Sequence, residues 1–170
     1  MALTAVFSTS ALAQASATAS TGSSATVVTP IAIANSVDLA FGTFAVTAAA
    51  GGTIKIAPES TSTVTRTGSV TSTKVSTPTA ALFTVSGEKG FTYDLTLSSK
   101  TFSLTGAATT GATTLTVSAL ETSLGTTQGT IDATSGTQIV YVGGLLTIPA
   151  AAAKDVYTNK TAFSVTVNYN

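Results

Sequence analysis

The end of the chain alternates strictly. Phe163, Val165, Val167 and Tyr169 fall on one face of an extended strand, and Ala162, Ser164, Thr166 and Asn168 on the other, because strand side chains repeat with a period of two. Burying those four side chains is worth roughly 6–12 kcal/mol before conformational entropy is subtracted. A terminus patterned in this way is tied into a sheet, whereas an untied terminus frays.

The same period recurs upstream. Residues 26–33 place Val27, Ile31 and Ile33 on one face, and Pro30, which has no ladder N–H, suits an edge position or a bulge. Residues 36–46 read as a second strand with a bulge at Gly42. Residues 53–57 form a third, stopped by Pro58, and the Thr/Ser-rich stretch 61–76 reads as a solvent-facing hairpin or long loop. Residues 80–86 and 91–97 flank Gly87-Glu88-Lys89-Gly90, a four-residue hairpin connection. Residues 101–105, 114–120 and 138–142 supply further strands. Gly143-Gly144 bends the chain before residues 145–148, and Pro149 with residues 150–153 suits a single helical turn.

No stretch carries a sustained helical stripe, and abundant Thr and Val favour extended structure. Eight to ten short strands separated by turns predict one all-β domain, an antiparallel sandwich over residues 25–170. Its expected core includes Phe83, Val85, Phe91, Tyr93, Leu95, Phe163, Val165 and Val167.

The N-terminal residues bear on compartment. Residues 1–13 are mildly apolar and end in Ala11-Leu12-Ala13, a small-x-small pattern that reads as the back half of a secretory signal peptide cut after Ala13. Leu3, Ala5 and Phe7 also alternate as a first strand would. Residues 14–24 are low-complexity Ala/Ser/Thr/Gly, too small-sided to build core, and form a flexible extension. A secreted, surface location is the expectation.

Composition narrows the function. Charged residues make up 8% of the chain, seven basic and seven acidic. They are scattered singly, so no basic face exists to neutralise phosphates and nucleic acid is not an expected partner. No apolar run reaches 18 residues, which argues against a membrane span. The chain lacks His, Cys and Trp, which removes imidazole bases, thiolate nucleophiles, disulfides and the usual soft metal ligands. Asp38, Glu59, Glu88, Asp94, Glu121, Asp132 and Asp155 are dispersed and form no short acidic motif. Gly129, Asp132 and Gly136 read as a Thr/Gly turn rather than a calcium loop. Asn159-Lys160-Thr161 matches the N-glycosylation triplet, and a turn into the final strand is the plainer reading. Neither an enzyme nor a cofactor is expected.

Three phrases resemble the subunits of bacterial chaperone–usher pili and their spore-coat-U-like relatives. They are residues 26–33 followed by Val37-Asp38-Leu39-Ala40-Phe41-Gly42-Thr43, the strand and bend of residues 141–149, and the closing Phe163-x-Val165-x-Val167-x-Tyr169-Asn170 with its penultimate Tyr. In order and wording, residues 25–170 are most similar to a secreted bacterial domain-of-unknown-function family, number 4402. The resemblance implies an incomplete immunoglobulin-like sandwich whose final strand borders an open apolar groove. It further implies that an N-terminal extension of the next subunit fills the groove by strand addition, in a head-to-tail contact that propagates a fibre. The implied partners are copies of the same chain, with a periplasmic chaperone and an outer-membrane usher during assembly. The interface residues on this reading are Leu3, Ala5, Phe7, Val27, Ile31 and Ile33 on the N-terminal side, and Phe163, Val165, Val167 and Tyr169 on the C-terminal side. Two other readings compete: a self-contained secreted sandwich in which residues 27–33 pair within their own chain, and a glycan-binding adhesin module.

Overall fold

The structure, a computed structural model, describes residues 16–47, 50–73, 75–110 and 113–170. Leu3, Ala5, Phe7 and the small-x-small stretch lie outside the described residues. The fold is an all-β, antiparallel sandwich with no helix among the described residues.

The larger sheet contains β1 (Ala32–Val37), β3 (Gly52–Ile56), β4 (Val64–Gly68), β6 (Ala81–Ser86), β8 (Phe102–Thr105), β9 (Thr114–Thr122) and β11 (Thr137–Ile148). The order β1-β6-β11-β3-β4 forms its spine, and β9, carrying β8, also pairs with β11. The facing sheet has the order β10-β7-β12, built from β7 (Thr92–Leu97), β10 (Gln128–Thr130) and β12 (Val165–Tyr169). A short ribbon joins β2 (Phe44–Ala45) to β5 (Thr71–Ser72).

The alternating pattern is what holds these layers together. In β6 Ala81, Phe83 and Val85 are buried, in β7 Tyr93 and Leu95, and in β9 Leu115 and Val117, while their neighbours face outward. One core cluster lies under the larger sheet and includes Ile54, Ile56, Phe83, Leu115, Val117, Leu146 and Ile148. A second joins Val85 and Val140 of that sheet to Tyr93, Leu95, Ile131 and Val167. β12 is held along its length to β7, with Val165 opposite Leu97, Val167 opposite Leu95 and Tyr169 opposite Tyr93.

Several local expectations change. Residues 86–92 do not close a hairpin: β6 pairs with β1 and β11, β7 pairs with β10 and β12, and Gly87-Glu88-Lys89-Gly90 carries the chain from one sheet to the other. Residues 36–46 are a broken edge rather than one strand. β1 stops at Val37, Ala40 bridges Thr79, and Gly42 sits at φ 74°, where a Cβ would press on Ser76 and Pro78. Residues 61–76 contain β4 and β5. The two segments expected on either side of Gly143-Gly144 are one strand, β11, and the glycines mark a register shift against β9. Residues 150–153 turn without forming a helix; Ala151 has φ 57°. Phe91, expected in the core, is 43% exposed: it stands at the sheet-crossing corner, before β7 begins, and packs edge-on against Tyr169.

Candidate functional site

β1 and β12 are each the end strand of their own sheet, and they lie side by side without pairing. Ile33 of β1 and Val165 of β12 fill the seam between them, and each packs against both core clusters. Either side of that point the seam behaves differently.

Toward the end of β1 the seam opens into a groove of about 1380 Å³. The strands supply a mainly apolar lining: Phe83 from β6, Phe102 and Leu104 from β8, Leu115 from β9 and Leu146 from β11, with Asn35 of β1 the polar exception. Phe163 stands among them, stacked on Phe102 with ring centres 5.9 Å apart and edge-on to Phe83 at 6.3 Å. Residues 38–46 and 152–165 complete the lining, bringing the polar groups Asp38, Lys154, Asn159 and Lys160 to its exposed rim.

The 152–165 side is fixed by polar contacts to β8 and the turn beyond it. Thr105 and Thr158 exchange backbone hydrogen bonds of 3.2 and 3.1 Å. Asn159 donates its side-chain amide to the Ser103 carbonyl at 2.9 Å. The Asp155 carboxylate accepts from the Val156 and Ala108 N–H groups at 2.7 and 2.6 Å, and these donors hold its pKa below the usual carboxylate range. Asn159, the acceptor position of the glycosylation triplet, is therefore committed: its carbonyl oxygen also accepts from the Thr161 N–H at 3.0 Å.

Toward the start of β1 the seam is closed. Val167 is buried, and Ile31 and Tyr169 pack against the second core cluster. The Tyr169 hydroxyl donates to the Thr29 carbonyl at 2.7 Å and accepts from the Glu88 N–H at 2.6 Å. The Thr29 N–H in turn donates to the Glu88 carboxylate at 2.8 Å, which lowers that carboxyl's pKa. Gly87 leaves room for the phenol, since a Cβ there would collide with the hydroxyl.

Of the candidate interface residues, the structure brings Ile33, Phe163 and Val165 to the groove and places Ile31, Val167 and Tyr169 at the closed end. Val27 joins neither group: it is 96% exposed and precedes the first strand. Phe102 and Leu104 line the groove as well, though they are not among the candidate interface residues. Their only signal is a two-residue alternation within a Ser/Thr-rich stretch. Asp132 accepts hydrogen bonds from the Thr134 and Ser135 N–H groups at 3.0 and 2.6 Å, an Asx turn that depresses its pKa. Among the described residues no three acidic side chains converge, and no helix is long and apolar enough to cross a membrane.

The architecture is thus that of an antiparallel sandwich with an apolar groove along the seam of its two end strands. The sequence profile of the family described as Domain of unknown function (DUF4402) matches residues 31–169, and the chain belongs to that family. No curated protein and no solved structure matches the chain.

Proposed function

We propose that this chain is a non-enzymatic structural subunit of a bacterial extracellular fibre, in which an extended segment of one copy occupies the seam groove of the next. The observation that carries this reading is the juxtaposition of two strand edges that do not bond to each other, β1 and β12, with an apolar groove opening along their seam. An open edge is a template for another strand, and alternate side chains of an inserted strand would supply the apolar contacts. The N-terminal side holds the candidate donors. Leu3, Ala5 and Phe7 alternate, whereas residues 14–24 offer only Ala as apolar material. A head-to-tail contact between an extension and a distant groove propagates as a filament when its rotation does not close into a ring. Export with a periplasmic chaperone covering the groove, and passage through an outer-membrane usher to the cell surface, belong to the same reading.

Deleting residues 1–24 is the direct test. The full chain should form fibres visible by electron microscopy, and the truncated chain should form none. A synthetic peptide of the deleted residues should bind the truncated protein and raise its melting temperature, by about 2.7 kcal/mol of stability at a hundredfold excess over its Kd. If truncated and full-length proteins behave alike and the peptide has no effect, the chain is a self-contained sandwich. In favour of that second reading, Ile33 already pairs with Val85 of its own chain.

A further inference from the structure

We propose that Tyr169 is a clamp that fixes the root of the N-terminal extension and holds the extension away from its own chain's groove. Residues 16–30 are exposed throughout. Among the described residues, the extension's hydrogen bonds to the rest of the domain are those of Thr29, with the Tyr169 hydroxyl at 2.7 Å and the Glu88 carboxylate at 2.8 Å. Both partners are themselves positioned. Tyr169 is paired opposite Tyr93 at the end of β12 and braced by the Phe91 ring at 5.7 Å. Glu88 is anchored through its own N–H to the same phenol. The result is a closed ring of three hydrogen bonds that joins the extension, the sheet-crossing corner and the final strand.

The position of this ring along β1 gives it a consequence. Thr29 precedes the strand, whereas the groove begins at Ile33 and continues through residues 38–46, past the strand's end. To enter its own groove the extension would have to reverse at the clamp and run back along β1, a length of roughly 20 Å at 3.4 Å per residue. Pro30, whose ring fixes φ, lies between the clamp and Ala32 and stiffens that link, so the reversal would have to be made by residues that precede Thr29. A clamped root therefore disfavours filling the groove in cis. Where the groove takes an extended segment, as proposed above, a second copy's groove is the one favoured. This last step rests on the fibre reading; the clamp itself does not.

The chain has no cysteine, so two introduced thiols report one distance. Ser20→Cys in the extension and Ala45→Cys beside the groove, spin-labelled in the full-length protein and diluted with unlabelled chain, give the distance within one copy. The expected result is a long distance that gains a short component when Tyr169→Phe or Glu88→Ala is added. Amide exchange of Thr29, slow in the parent, should quicken about tenfold or more in both variants. Tyr169→Phe keeps the ring in the core, and Glu88→Ala leaves β12 untouched, so agreement between them excludes a general loss of fold. A short distance in the parent, or Thr29 exchange that neither variant changes, overturns the clamp. Electron microscopy of undiluted parent protein separates the two proposals. Protected Thr29 without fibres sinks the fibre reading and keeps the clamp, and fibres with unprotected Thr29 do the reverse.

Discussion

The two ends of the β1–β12 seam carry the same alternating sequence pattern and meet different fates. Val167 and Tyr169 lie beside Leu95 and Tyr93 of the paired strand and cluster with Val85, Ile131 and Val140, and Val167 is 9% exposed. Phe163 and Val165, on the same face of the same stretch, stay half-buried beside a groove of about 1380 Å³. Alternation tells which side chains point inward. It does not tell whether anything stands opposite them. At the closed end Val85 and Val140 of the larger sheet, Ile131 and the β6–β7 corner supply that partner; at the open end the groove stands there instead, beginning at Ile33 and running past the end of β1.

The two ends should differ most when the same charge is placed at each. Val167→Asp places a carboxylate among fully buried apolar side chains and should cost more than about 4 kcal/mol, enough to abolish folded protein. Val165→Asp can turn its carboxylate to the groove's water and should cost about 1–3 kcal/mol, leaving a folded domain measurable by urea denaturation. Equal losses at the two positions would mean the groove is filled. Phe163→Ala comes next. It removes the stack on Phe102 and the edge contact with Phe83, and it should cost about 1–2 kcal/mol, below the 3–5 kcal/mol of a fully buried Phe. Adding a groove-filling peptide should widen that difference.

Tyr93 probes the closed end by pH. Burial pushes its phenol from 10.0 up to about 12, and its hydroxyl donates to the Gln138 side-chain oxygen at 2.7 Å. The unfolded chain loses this proton from pH 10 upward while the folded chain holds it to about 12. The stabilisation is therefore complete below pH 10 and declines as pH rises between those values. Tyr93→Phe should cost about 1 kcal/mol at neutral pH through the lost hydrogen bond. It should also flatten the alkaline decline seen in pH-dependent melting. The smallest effect is expected from Thr166→Asp, on the outward face of β12, within about 0.5 kcal/mol by denaturant midpoint.

Much of this was legible in the residues. The period-two runs of β6, β7 and β12 identify buried and exposed faces correctly, because burial on one side of a sheet is a local, repeating constraint. Pairing is not local. Gly87-Glu88-Lys89-Gly90 has the length of a hairpin connection, and nothing within it reveals that the chain crosses to the other sheet. Val27 shows the complementary limit: it shares the alternation of Ile31 and Ile33, but Pro30 intervenes and pairing begins only at Ala32, opposite Ser86. The resemblance implies a groove bordered by β12 and counts Ile33 on the donor side, whereas Ile33 stands in the groove's own wall. The contribution of Phe102 and Leu104 depends on β8 being delivered by β9, a relation set by the whole sheet.

One strand has a history as well as a place. β7 is bonded on both sides, by β10 and by β12, and both partners follow it in the chain. As the polypeptide emerges from a ribosome or a translocation channel, β7 and its apolar face wait for the arrival of β10, and then for the final strand. Contacts of such high sequence separation close slowly, and a strand with an unfilled edge invites wrong partners while it waits. Folding of the small sheet is therefore a terminal event, complete only after Val165–Tyr169 has been released. A chain stalled before that point would carry an assembled larger sheet and an unfinished layer over it.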